Sequence, residues 1–590
     1  MRLLLLTLLP TVLAQDQTGS KYFPFKQINA GNVQQLTQAW IYHTAESLKP
    51  AAKGGRRPAL EVTPSFLQDT LYISTPTGRV IALDPETAKE KWVYDSKINL
   101  NASYGDFANR GLAHANGRIY LATIDARLIC LEAKTGQPCA AFKTVDLTKG
   151  LRITPKEAGE YEQTSPPVVV RGVIVVGSAI ADNGRVDMPS GEVRGFDATT
   201  GELRWTWHPM ERKGVGGANA WSLISADEAA GVVFVPTGSA SPDYYGGNRP
   251  GDNLYANSVI ALDALTGQRR WHFQTVHHDL WDYDVASQPA LFTQRGTKAI
   301  AVGSKTGHLF LLNRETGKPL FPVEERPVPA SDAPGEQAAP TQPFPTRPAA
   351  LSPQRLEAVE AWGPTEADRA ACESLIKGLR NEGIFTPPSE KGTLVYPGNV
   401  GGLAWGGMAW DPENNLIIAP ANRLAAAVRL VKQEDFQRVR ANSPGWETAR
   451  QAGARFAMSR TILLSPSGLP CTPPPWATLS AIDTNTGHLR WQVPLGSLNG
   501  DARLGAPHLG GPIVTGGGLV FIGATMDSYI RAFSVYSGAE LWRAKLPTGA
   551  RATPMTFQTA QGKQYVVVAA GGHDNPFSPV GDSIVAFRLP

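Results

Sequence analysis

The chain has 590 residues, among them 59 Gly, 47 Pro and 14 Trp, and a formal net charge of +4. So small a charge on so long a chain excludes the basic face of a nucleic-acid or membrane-surface binder. The length allows several ordinary domains or one large repetitive one, and the Gly, Pro and Trp content favours many short strands.

The first residues, MRLLLLTLLPTVLAQD, join Arg2 to an apolar run and put Val12 and Ala14 just before a cleavage point. That is the pattern of a secretory signal peptide over 1–14, so the expected location is periplasmic or secreted. The run is too short to span a bilayer, and no transmembrane segment is expected later in the chain. No Cys stands at the cleavage point for lipidation, and no CxxCH for covalent haem. Cys130, Cys139, Cys372 and Cys471 can form disulfides in an oxidising compartment. Cys130 and Cys139 bracket a turn, CLEAKTGQPC, which suits a local bridge; the connectivity stays open.

One pattern then recurs: VIALDPETAKEKW, LICLEAKTGQPCAAF, VRGFDATTGELRW, VIALDALTGQRRW, LFLLNRETGKPLF, LSAIDTNTGHLRW and IRAFSVYSGAELW. The copies end at Trp92, Phe142, Trp205, Trp271, Phe321, Trp491 and Trp542. Each reads as an apolar strand, an Asp-x-x-Thr-Gly turn and a strand opening on an aromatic. The spacing leaves room for four strands per unit plus loops. Such a period signals an all-β chain, a β-propeller built from tryptophan-docking repeats. MAWDPENNLIIAP (408–420) reads as a degenerate further unit, and the terminal SIVAFRLP would close the ring against the first, giving an eight-bladed β-propeller over 20–590.

Two insertions break the rhythm, at about 322–400 and 424–465. Residues 322–350 are Pro- and Ala-rich and read as extended loop. Residues 352–381 and 424–458 have helical periodicity and read as decoration on the rim. Between the copies, HHDLWDYD (277–284) concentrates two histidines and three acids around Trp281. Zinc is disfavoured, because adjacent histidines point apart on a strand and no third ligand stands at the right spacing.

GANAWSLISADEAAGVVFVPTGSASPDYYGGNRPGDN and HHDLWDYDVASQPAL resemble the pyrroloquinoline-quinone (PQQ) dehydrogenases, as do the C-terminal LGGPIVTGGGLVFIGATMDSYIRAF and GKQYVVVAAGGHD. The branch resembled is that of the membrane glucose and quinate dehydrogenases, without their preceding bundle of spans. The resemblance implies PQQ as cofactor, with Ca²⁺ or Mg²⁺. It implies Asp282 as general base and Lys305 as the cation against the quinone oxygens. Trp221 would lie flat under the ring, and Arg110, Glu61 and Thr164 would hold the cofactor. Asp182 and Asn183 match an acid–amide pair of metal ligands; Ser241 and Asp282 complete the implied set. Asp284, two residues past the base, marks lanthanide binding in one alcohol-oxidising branch, but sugar-oxidising relatives carry an acid there too. The substrate wall departs from both branches: Tyr104 and Gly105 replace a Cys pair, and Asp106 replaces a His.

The function so implied is oxidation of a sugar, polyol or alcohol hydroxyl, aldose-type first, by base-assisted hydride transfer to PQQ. A separate electron acceptor, a quinone or a cytochrome c type protein, would then be required. The alternative is a propeller scaffold for outer-membrane protein assembly, which should lack the base, the cation and the acid–amide pair.

Overall fold

Each Asp-x-x-Thr-Gly copy is a tight turn between the two outer strands of an antiparallel sheet. Between Ser258–Asp263 and Arg269–Gln274, the Asp263 carboxylate accepts from the N–H and the hydroxyl of Thr266, both at 3.0 Å. Gly267 then turns the chain at φ +69°, where a Cβ would meet Cε3 of Trp205 at 2.5 Å. Trp205 belongs to the preceding sheet and donates its indole N–H to Ala264 O at 2.9 Å. The same docking joins Trp92 to Ala133 O (3.1 Å), Trp271 to Arg314 O (3.0 Å) and Trp491 to Val535 O (2.9 Å). The motif is therefore a socket: Asp closes the turn, Gly makes room, and the neighbouring sheet's Trp fills it.

A computed structural model describes residues 16–50, 55–575 and 578–590, so the expected signal peptide lies outside the described residues. Sheets follow in chain order over 65–95, 113–146, 168–207, 225–274, 290–313, 409–494 and 513–545. A last sheet joins both ends of the chain: Thr37–His43 pairs with Ser583–Arg588, beside Gln564–Ala570 and Met555–Gln558. Successive sheets share buried apolar clusters, and Phe66, Phe521 and Val566 share the one that brings the last sheets back to the first. The result is a closed β-propeller. Inside it, residues 17–21 stitch the innermost strands together: Ala226 N, Leu291 N, Trp410 N and Val514 N donate to the carbonyls of Gln17, Thr18, Ser20 and Lys21.

Several expectations need correction. Residues 408–420 are not a separate unit: Ala409–Asp411 and Leu416–Asn422 are the inner half of the sheet completed by Ala477–Asp483 and Leu489–Pro494. The second insertion splits that sheet. The terminal SIVAFRLP closes the ring by pairing with Thr37–His43, in a sheet that packs against the 65–95 sheet. The Pro-rich 322–350 stretch is not all loop: Val323–Pro327 and Thr341–Pro345 form a hairpin, whose two open edges tolerate proline. Residues 424–458 are mostly not helical. Only Phe436–Asn442 forms an α-helix there, preceded by the 3-10 turn Gln433–Asp435; Ala426–Lys432, Glu447–Ala449 and Phe456–Ile462 form a four-stranded sheet with Thr393–Val395. Strand pairing and burial on one face overrode a helical pattern. The expected helix in 352–381 does form, as Glu366–Gly378. Two disulfides close, Cys130–Cys139 and Cys372–Cys471. Among the described residues, no helix is long and apolar enough to cross a membrane.

Candidate active site

The inner ends of the sheets and the inserted lobe surround a cavity of about 860 Å³. Strand ends deliver its polar residues and the buried Glu61 behind Arg110. Glu61 and Arg110 follow the parallel pair Ala59–Leu60 and Ala108–Asn109; Trp221 precedes Ser225–Asp227; Lys305 follows Thr297–Gly303. Asp282 comes from the HHDLWDYD loop at φ +62°.

That loop is pinned at nearly every side chain. Asp279 accepts from Trp281 N (3.2 Å) and Tyr283 N (3.0 Å); Trp281 donates to Thr386 O and Tyr283 to Pro397 O, each at 2.7 Å. His277 Nε2 lies 3.1 Å from Glu325, and His278 Nε2 lies 2.8 Å from Glu336. The histidines therefore brace the base loop against the 323–345 insertion. Among the described residues, no group of three or more His, Cys, Asp or Glu side chains is gathered to hold a metal by itself.

Lys305 Nζ bridges the two acids of the loop, 2.6 Å from Asp282 Oδ1 and 2.7 Å from Asp284 Oδ2. The other oxygen of Asp282 is 3.0 Å from Arg460 Nη1. Burial pushes the Asp282 carboxyl up, to about 7, against the pull of Lys305 and Arg460. Burial also works against ionised Asp284, but Lys305 and the Ser239 N–H (2.8 Å) outweigh it and hold that carboxyl below its usual range. For Lys305 burial is outweighed by the two carboxylates, which hold the ammonium above its ordinary value.

Trp221 lines the cavity and donates its indole N–H to Asp284 Oδ2 at 3.1 Å. Lys305 Nζ lies 5.7 Å and Arg110 Cζ 5.5 Å from its ring centroid, and Arg110 is also 4.8 Å from the Trp405 ring. Arg110 Nε meets Glu61 Oε2 at 2.9 Å, and its Nη2 meets Asp106 Oδ2 at 2.6 Å. Glu61 Oε1 meets Arg551 at 2.7 Å. Thr164 stands behind this layer: its hydroxyl donates to Trp221 O (3.3 Å), and its carbonyl accepts from Arg110 N.

Asp182 lines the cavity near Asp282 and Asp284; burial first, then those two charges, raises its carboxyl well above the usual range. Asn183 donates its amide to Asp243 Oδ2 at 2.6 Å. The other side-chain oxygens of that pair, with Ser241 Oγ, are buried and unpartnered. Orphaned acceptors among buried acids are the donor chemistry of a hard cation, so the implied Ca²⁺ or Mg²⁺ fits this corner.

Four residues escape the linear reading, one of them Arg551, which lines the cavity and meets Glu61. Arg460 comes from the inserted sheet, and nothing in the linear pattern marks it. Asp243 stands two residues past Ser241 in SASPDYY, on the same segment. His508 lines the cavity and is kept neutral by burial, its ring lowered to about 4.

Residues 11–566 match the family described as "PQQ: Glucose/ethanol/alcohol dehydrogenase, beta-propeller domain". A quinoprotein glucose dehydrogenase of Escherichia coli (strain K12) is 37% identical over 627 residues, covering 98% of this chain and 78% of that protein. A quinate/shikimate dehydrogenase (quinone) of Acinetobacter baylyi is 36% identical over 639 residues, covering 97% and 78%. Among solved structures, the quinohemoprotein alcohol dehydrogenase from Comamonas testosteroni superposes with a TM-score of 0.71 at 24% identity, covering 98% of this chain and 80% of that one; this likeness speaks for the fold. With the match spanning nearly the whole ring, the chain belongs to the PQQ-dependent dehydrogenase family.

Proposed function

We propose that this protein oxidises the CH–OH group of a small molecule, with PQQ and Ca²⁺ or Mg²⁺ bound in the central cavity. The observation that carries the reading is the Asp282 carboxyl, buried, raised to about 7 and held between two cations beside Trp221. When bound, PQQ supplies an ortho-quinone that accepts the two electrons as hydride. Asp282 takes the hydroxyl proton of the substrate. Lys305 keeps a fixed positive charge where negative charge develops on the quinone oxygens. Trp221 gives the flat floor, while Arg110 and Arg551 offer guanidinium groups to carboxylates, with Glu61 behind them. Asp182, Asn183 and Ser241 would hold the cation, with Asp243 bracing Asn183.

The substrate class of sugar, polyol or alcohol follows the relatives, whose names span glucose and quinate. Electrons would leave through a separate acceptor, a quinone or a cytochrome c type protein. The signal-like start supports a periplasmic or secreted location. Eight blades is the reading that the order of sheets supports best. A scaffold without chemistry would have no use for the buried Asp282–Lys305–Asp284 cluster.

The test is reconstitution: the purified chain, PQQ and Ca²⁺ or Mg²⁺, with dye reduction followed across aldoses, polyols, quinate and alcohols. PQQ-dependent turnover lost in Asp282→Asn supports the reading. Absence of PQQ binding would remove it.

A further inference from the structure

Above Asp282 the cavity changes character. The inserted lobe supplies the wall that faces the base. Arg460 reaches Asp282 from the strand Phe456–Ile462, and strand alternation puts Ile462 on the same face as Arg460. Leu464 and Leu469 continue that wall on a short hairpin, in which Leu464 pairs with Pro470. Beside them Leu424, Trp476 and Leu498 form an apolar cluster that also opens on the cavity. The Trp476 indole N–H is already occupied by Thr472 O at 2.8 Å. Beyond Arg460, the lobe's polar side chains at the cavity are Asn399 and Ser467.

The wall is also held in place. Cys471 closes a disulfide with Cys372 on the helix Glu366–Gly378, and Asp368 of that helix accepts from Ser467 N at 3.0 Å. Both cysteines are fully buried. The hairpin is therefore a fixed surface and not a loop free to rearrange its side chains. A polyhydroxylated substrate with one hydroxyl at Asp282 would press others against Ile462, Leu464 and Leu469. Each hydroxyl so placed loses its water without a replacement partner. An apolar body there gains instead by leaving water.

We propose that the substrate is an alcohol whose reacting hydroxyl sits on an apolar body, a medium-length chain or a hydrocarbon ring, and that residues 462–470 are its specificity-determining wall. The proposal rests on the dehydrogenase reading and narrows it. The alcohol would lose a hydride from carbon to the quinone and its hydroxyl proton to Asp282, leaving an aldehyde or ketone.

The test uses the full chain loaded with PQQ and Ca²⁺. Turnover is compared along the series 1-propanol to 1-octanol and for cyclohexanol, glucose and glycerol. Binding alone is measured by calorimetry on Asp282→Asn, with and without PQQ. Affinity is expected to rise about fourfold per added methylene along the first part of the series. Cyclohexanol should exceed glucose in kcat/KM, and Leu469→Ser should flatten the series while Leu469→Met preserves it. A flat series in the wild-type wall, or glucose binding more tightly than cyclohexanol, would overturn the proposal. Binding of the series by Asp282→Asn together with a wild type that turns over nothing would leave the wall assignment standing and overturn the dehydrogenase reading instead.

Discussion

Lys305 Nζ lies 2.6 Å from Asp282 Oδ1. The same ammonium lies 2.7 Å from Asp284, and the two carboxyls it joins are driven in opposite directions, Asp282 up to about 7 and Asp284 down. Two acids two residues apart thus take different tasks: one can accept a proton near neutrality, and the other stays an anion that orients Lys305 and Trp221.

Removing the base and removing the cation should therefore differ. Asp282→Asn is expected to lower kcat by about 10²–10⁴-fold with little change in PQQ affinity. Lys305→Gln is expected to lower kcat by about 10²–10³-fold. Single-turnover dye reduction with a fluorescence titration of PQQ measures both. Full activity in Asp282→Asn would remove the base assignment.

Asp284→Asn should act on binding more than on chemistry. It removes one of the two carboxylates holding Lys305 and the acceptor of the Trp221 N–H at 3.1 Å. The expected result is a PQQ affinity about tenfold weaker, from loss of a charge-assisted contact of roughly 1.5 kcal/mol. An unchanged affinity with a large fall in kcat would assign Asp284 to the chemical step.

Glu162 supplies a pH test of stability. Burial lifts its carboxyl from 4.5 to about 8, although Gly105 N and Asp106 N both donate to it. A carboxyl raised in the folded state contributes most below its unfolded value, and that contribution is lost as pH rises through the folded one. Wild-type Tm should thus fall relative to Glu162→Gln between pH 4.5 and about 8. Parallel Tm curves for the two proteins would show that Glu162 is ionised throughout.

The docking socket makes a steric prediction. Gly267→Ala puts a Cβ 2.5 Å from the Trp205 ring at a left-handed φ, for an expected cost of about 2–4 kcal/mol. Trp205→Phe keeps most of the ring but loses the bond to Ala264 O, for about 1 kcal/mol. Urea midpoints rank the two; a Gly267→Ala protein as stable as wild type would mean that the socket is loose.

The disulfides should differ in weight. Cys372–Cys471 closes a loop of 99 residues and Cys130–Cys139 one of 9. On loop entropy the first stabilises by about 4–5 kcal/mol and the second by about 3 kcal/mol. Paired Cys→Ala variants compared by urea denaturation test that order.

What could be read from the chain divides along physical lines. The ring was legible because its unit repeats: one socket, Trp205 on Gly267, is written again at Trp92, Trp271 and Trp491. Asp282, Lys305, Trp221 and Arg110 were legible through motifs, and the cavity brings them together. Thr164 matches a cofactor contact by motif alone; its hydroxyl donates to Trp221 O. The inserted lobe is unique in the chain, so no repetition marked its register. In its 424–458 stretch the segment EDFQRVRAN has a helical pattern, and the α-helix there is confined to Phe436–Asn442. Nothing local marks Arg460 either: its partner Asp282 is 178 residues away, and much of the sheet that carries it lies in the 424–458 stretch with helical periodicity.

The pairing of Thr37–His43 with Ser583–Arg588 has a consequence for how the molecule comes to exist. A chain emerging from its N-terminal side can build sheet after sheet, but it remains an open arc until the strand Ser583–Arg588 arrives. Closure waits for that strand, and before it the cavity has no complete circumference. A truncation that removes only the last strand should therefore cost more than its own contacts, because it leaves the ring unlatched.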